Sequence, residues 1–160
     1  MMADASAPVT RHAVRVLLLD EADRLQLVRF WDQDRSWWCA PGGGIEPGES
    51  DVAAASRELR EELGDAPIEI GQCIWTRRHV GVFRGRPFDQ SERIYLGRVP
   101  AFAPWPSPAA LREHGLEDIR WWTVDELASS AEEFAPRRLP QLLHDLRAKG
   151  PPAKPVDVGI

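Results

Sequence analysis

Glu58, Glu61 and Glu62 fall at i, i+3 and i+4 within the segment Ser50 to Leu63. On a helix, at about 100° per residue, that spacing stacks all three carboxylates on one side. Like charges so placed repel one another. The residues alone leave two readings open: a solvated acidic face, or a site for a hard divalent cation. Mg²⁺ and Mn²⁺ take oxygen ligands, and Mg²⁺ bound by carboxylates keeps waters and substrate phosphates in its shell. Such a cation relieves the repulsion, offsets phosphate charge and acidifies bound water. Arg57 stands one turn before Glu61, within reach for its planar fork to hold a carboxylate. Just upstream, Pro41-Gly42-Gly43-Gly44 reads as a shaped loop whose glycines let the backbone approach a metal or phosphate closely. No lysine follows in the P-loop manner, which excludes a Walker site.

The helix that must carry these groups has clear ends. Ser50 is a good N-cap, Asp51 suits the positive end, and Gly64 suits the C-terminus. Val52, Ala55, Leu59 and Leu63 share the side expected to pack on a sheet, with small Ser56 accommodated there. Ala54 keeps the space beside the glutamates open. Strands are expected at Ala13–Leu19, Leu25–Phe30, across Ile68–Val82, at Arg93–Val99 and at Ile119–Thr123. Trp31–Ala40 reads as a polar loop with aromatics, and the proline-rich Pro100–Pro108 as another loop. Thr123 to Glu126 has the capping-box pattern and starts a short helix. Pro140–Lys149 is a final amphipathic helix.

The chemistry-bearing residues sit at a defined spacing. Gly43, Glu49, Arg57-Glu58-Leu59, Glu61-Glu62 and Gly64 fit G-x5-E-x7-R-E-U-x-E-E-x-G-U, where U is a bulky aliphatic residue. Only the last position departs, with Asp65 in place of an aliphatic residue. This is the Nudix box, and the chain resembles the MutT-like Nudix hydrolases. The resemblance implies an α/β/α sandwich with a mixed central sheet, the box helix packed on one side. It also implies a Mg²⁺- or Mn²⁺-dependent hydrolase of diphosphate linkages. By position, Glu58, Glu61, Glu62 and the Gly43 carbonyl would hold the metal, with Arg57 and Glu49 orienting the carboxylates. The family's proton acceptor often lies outside the helix, before a late strand ending in tryptophan. Glu113, His114 and Glu117 precede Trp121-Trp122 here, and Glu92 is a further candidate. Trp37 and Trp38, with Gly42 and Gly44, are candidate substrate contacts.

The leading functional expectation is a nucleoside diphosphate-X hydrolase. The alternatives are a nucleoside triphosphate pyrophosphohydrolase of the oxidised-nucleotide-cleaning type and a non-catalytic nucleotide sensor. Sensors commonly lose box carboxylates, and this chain keeps them. Val80-Gly81 stand where ADP-ribose hydrolases carry proline, and Val82 where diadenosine polyphosphate hydrolases carry tyrosine.

The totals agree with one domain. A chain of 160 residues buries roughly 70% of its unfolded surface when folded as a unit. We read residues 1–10 as a flexible lead-in, 11–149 as the hydrolase domain and 150–160 as a Pro-rich tail. A net charge of −5 argues against a nucleic-acid polymer as partner, and a polyanionic substrate would need help from a divalent cation; the resemblance implies a small nucleotide. Two cysteines outside any CxxC pair suit reduced thiols in the cytoplasm. No segment suits a signal peptide or membrane span. Exposed sheet edges and the tail leave room for a homodimer.

Overall fold

The computed structural model describes residues 8–100, 108–113 and 115–160. In chain order the first elements are β1 (Val9–Leu19), β2 (Leu25–Asp32), β3 (Arg35–Cys39), β4 (Gly42–Gly44), α1 (Asp51–Leu63), β5 (Glu69–Phe83) and β6 (Arg86–Arg98). They are followed by α2 (Pro108–Glu113), β7 (Asp118–Trp122), α3 (Val124–Ser129), β8 (Phe134–Ala135), α4 (Leu139–Lys149) and β9 (Val156–Asp157).

The strands form one mixed sheet in the order β8-β3-β2-β1-β6-β5-β9, with β4 joined to β1 and β7 to β2. β1 lies parallel to β6 along its whole length. On its other side β1 meets β2 only at Leu18 and Leu19, then pairs with β4 at Ala13–Arg15. The sheet therefore splits where β4 is wedged in, and the glutamate helix lies over that split.

Helices cover both faces, as an α/β/α sandwich requires. Ala54, Ala55, Leu59 and Leu63 of α1 pack on Val14, Val16 and Leu18. Leu127 of α3 and Leu139 and Leu143 of α4 pack on Leu17, Leu19, Trp75 and Ile94 of the opposite face. Trp122 anchors that second core, edge-on to Trp38 and Phe134. Among the described residues no helix is long and apolar enough to cross a membrane.

Several elements differ from the sequence expectations. The aromatic segment before Pro41 is not a loop throughout: Arg35–Cys39 is a strand paired with β2 after a tight turn at Gln33. Its Trp-Trp-Cys run suits a pleated, half-buried surface. The glycine run Gly42–Gly44 is a strand rather than the shaped loop expected, because bare backbone fits flat against β1. A Cβ at Gly42 would stand 2.1 Å from the Val14 carbonyl oxygen. β6 begins at Arg86 rather than Arg93, so β5 and β6 make one long hairpin. β1 starts at Val9, inside the segment read as a flexible lead-in. The final residues also fold back. Val156–Asp157 add to β5 beside Trp75–Thr76, and Val158 is buried in the core. Residues 101–107, which include Trp105 and most of the expected proline loop, lie outside the described residues, as does His114.

α1 is turned from the expected phase. Val52 is 49% exposed, while Ala54 and Glu62 face inward. The cause is β4, whose side-chain-free strand packs on the Ala54–Glu58–Glu62 side as well as the sheet. The caps are as expected. The Ser50 hydroxyl accepts from the Ala53 amide at 3.1 Å, and the Gly64 amide donates to Arg60 O. Replacing Ser50 by alanine should cost about 1 kcal/mol. A thermal melt should register this as a drop of roughly 2–4 °C.

Candidate active site

The box residues meet around the guanidinium of Arg57. Its Nε and Nη2 donate to the two Glu49 oxygens at 2.9 and 2.8 Å, and Nη2 also donates to the Gly44 carbonyl at 3.0 Å. Its Nη1 reaches Glu58 Oε1 at 2.9 Å and stands 3.7 Å from Glu61 Oε1. The bidentate contact thus goes to Glu49 rather than to Glu61, one helical turn away. Glu49 in turn accepts from the Glu46 amide at 2.8 Å. The Arg57 hydrogen bond, then the backbone amide, hold the Glu49 carboxyl down at about 2. One arginine therefore ties the loop before α1, strand β4 and the first glutamate of the cluster.

Glycine is required at the floor of this cluster. A Cβ on Gly43 would lie 2.5–2.6 Å from the Glu58 carboxylate atoms. Glu58 can rest against the backbone only because nothing projects from it. One turn on, Glu62 is 4% exposed and accepts from the Gly42 amide at 3.2 Å. Burial pushes its carboxyl up to about 8; Arg15 opposes this and the neighbouring Glu58 adds to it. Glu61 points outward, with its side chain 44% exposed. Asp65, the one departure from the box pattern, is almost fully exposed beyond the helix.

Behind β4 lies a polar cluster that sequence reasoning did not assemble. Arg15 leaves β1 at the split, donating to Glu92 Oε1 through Nε at 3.0 Å and to the Ala40 carbonyl through Nη1 at 3.0 Å. Arg77 Nη1 stands 3.2 Å from the other Glu92 oxygen, and Gln90 donates to Glu92 Oε1 at 2.6 Å. Burial alone would raise the Glu92 carboxyl, but Arg15 and then Arg77 outweigh it and hold it at about 2. A carboxylate so acidic, with both oxygens engaged, is a poor proton acceptor, and Glu92 leaves the set of candidate bases. One signal was available: Arg15 interrupts the otherwise apolar run Ala13–Leu19. Beside it Cys39 is buried, and that burial pushes its thiol up to about 11, so it stays protonated.

The remaining candidates separate. Glu113 is exposed at the end of α2. Glu117 accepts from the Ser36 hydroxyl at 3.1 Å and lies 3.5 Å from Arg29. Among the described residues neither touches a box carboxylate. Trp38 is buried in the core against Trp122, with Arg29 over its ring and its indole N–H given to Glu132. Trp37 is half-buried, stacked on Phe30 at 6.2 Å and edge-on to Phe83 at 6.0 Å. Any stacking surface for a base therefore falls to Trp37 rather than Trp38. Gly42 and Gly44 both lie in β4 beside the cluster.

A family model described as NUDIX domain matches residues 9–145. The chain belongs to the Nudix family. It is 31% identical to a nucleoside triphosphatase NudI of Salmonella arizonae, over 71% of this chain and 76% of that one. It is 27% identical to an RNA pyrophosphohydrolase of Wolbachia pipientis, over 78% and 81%. The fold is shared with a MutT protein from Methanosarcina mazei Go1, at a TM-score of 0.67 and 18% identity, covering 89% and 98% of the two chains. Nudix enzymes hydrolyse diphosphate linkages and use divalent metal ions.

The Nudix residues of this chain fit such an ion. Glu58, Glu61, Glu62 and the Gly43 carbonyl are all hard oxygen donors. Glu62, buried beside Glu58 and Glu61, has no ion pair of its own among the described residues. Among the described residues no three potential ligand side chains stand gathered as a finished set, because Glu58 and Glu61 are turned toward Arg57.

Proposed function

We propose that this Nudix enzyme hydrolyses a nucleoside triphosphate to the nucleoside monophosphate and pyrophosphate. The carrying observation is the meeting of the box helix and an arginine wall at the sheet split. Glu62 accepts from the Gly42 amide, Arg15 donates to the Ala40 carbonyl two residues earlier, and Glu92 links Arg15 to Arg77. A triphosphate sets its full charge against that wall, whereas a diphosphate capped by a sugar sets less. The relatives described as a nucleoside triphosphatase and an RNA pyrophosphohydrolase support the same order of preference. The reading therefore moves from the diphosphate-X expectation to its triphosphate alternative.

Glu58, Glu61, Glu62 and the Gly43 carbonyl would hold Mg²⁺ or Mn²⁺, which supplies charge neutralisation and an acidified water. Arg57 fixes Glu49 and Glu58, and the Gly42 amide fixes Glu62, so the carboxylates are oriented in advance. Water oxygen bonds to phosphorus, the bridging P–O bond breaks, and pyrophosphate leaves with the electron pair. The water's proton passes to a carboxylate; Glu113 and Glu117 keep solvent-facing oxygens for that role. Trp37 offers the base a ring to stack on.

Phosphorus NMR of the products tests this. With Mg²⁺ or Mn²⁺, a panel of normal and oxidised nucleoside triphosphates should yield monophosphate and pyrophosphate, and EDTA should stop the reaction. Turnover of nucleotide sugars alone, giving two phosphomonoesters, would return the assignment to diphosphate-X hydrolysis.

A further inference from the structure

Arg77 has more donors than partners. Its side chain is 6% exposed and its Nη1 faces Glu92, yet among the described residues its buried Nε has no hydrogen-bond partner. A guanidinium does not shed its proton to escape such a position. Glu92 Oε1 already answers both Arg15 and Gln90, and Oε2 faces Arg77 through Nη1 rather than Nε. Two guanidiniums share this carboxylate, and Glu62 acts on Arg15, so the less compensated charge is that of Arg77. Neighbouring arginines on the hairpin are different: Arg78 gives two donors to Asp89 and Arg93 two to Asp51.

A buried polar group left unpaired in a native fold calls for an explanation. An oxyanion supplies both missing elements, the charge and the acceptor, and phosphate suits the guanidinium fork. The location favours it too. Arg15 binds the Ala40 carbonyl, two residues before the Gly42 amide that holds Glu62. We infer that Arg77 and Arg15, held by Glu92, form an oxyanion subsite that takes the phosphoryl oxygens of the departing pyrophosphate. This rests on the triphosphate reading. The subsite grips the end of the substrate remote from the base and selects substrates with a free terminal phosphate.

Binding of inorganic pyrophosphate to the full chain in EDTA, followed by titration calorimetry, tests the subsite without metal or turnover. The wild-type protein should bind it, and Arg77→Gln should weaken that binding by about tenfold or more. In turnover of a triphosphate, the rise in KM for this variant should exceed its fall in kcat. No metal-free binding by the wild type, or unchanged affinity in folded Arg77→Gln, would overturn the inference. If Arg77→Gln does not fold, Arg77→Lys keeps the charge facing Glu92 but loses the fork, and its affinity decides in the same way. Failure of triphosphate turnover with Arg77-dependent pyrophosphate binding intact would sink the substrate reading and leave the subsite standing.

Discussion

Glu61→Gln is expected to lower turnover by on the order of 10² to 10³ while leaving the fold intact. The asymmetry follows from where the residue stands. Its side chain is 44% exposed and, among the described residues, its one ion pair is the 3.7 Å contact with Arg57. Exposed pairs of that kind contribute little to stability. In the proposed site the same carboxylate is one of few donors for a doubly charged ion, and an amide oxygen is a weaker donor. Steady-state rates at saturating Mn²⁺ and a thermal melt, made on one preparation, check both halves. Near-wild-type turnover would remove Glu61 from the ligand set. A collapse of the melting temperature would show that Glu61 does structural work the exposed geometry does not account for.

Glu92→Ala should destabilise the protein by about 3–5 kcal/mol, because it strands two buried guanidiniums. That is a large share of the roughly 5–15 kcal/mol that holds a domain folded. Glu92→Gln keeps the shape and an acceptor oxygen, and should cost less. The same carboxylate sets an acid limit. Its folded pKa of about 2 lies below the ordinary glutamate value of 4.5. A depressed carboxyl stabilises the fold above the unfolded pKa, and that contribution is lost as pH falls toward 2. Denaturant unfolding between pH 4.5 and 2 should show a decline in the wild type that is reduced in Glu92→Gln. Glu62, raised to about 8, still takes up protons in the unfolded state near pH 4.5, but equally in both proteins, so their difference isolates Glu92. A parallel pH dependence in the two proteins would mean that Glu92 carries no net linkage.

The box helix was legible because its signals are local. Ser50, Gly64 and the i, i+3, i+4 glutamates act within a few residues of one another, so spacing alone places them. The capping box at Thr123 and Glu126 was legible for the same reason. Local too was the pairing of a glycine run with an acidic helix, although not the form it takes. Only the packed sheet shows that Gly42–Gly44 is a strand wedged against β1, and that this turns α1 until Glu62 is buried.

The arginine cluster could not be read ahead of the fold. Arg15, Arg77 and Glu92 come from three strands far apart in the chain, and their meeting depends on the parallel register of β1 with β6 and the antiparallel register of β5 with β6. Nor does spacing separate Trp37 from Trp38. Alternation says that two neighbours on a strand face opposite ways, and only the placement of Trp122 and Phe134 decides which one is core. The chain's own residue order thus determined the chemistry the helix offers. What that chemistry faces was decided by long-range strand pairing, whose partners and register no short segment encodes.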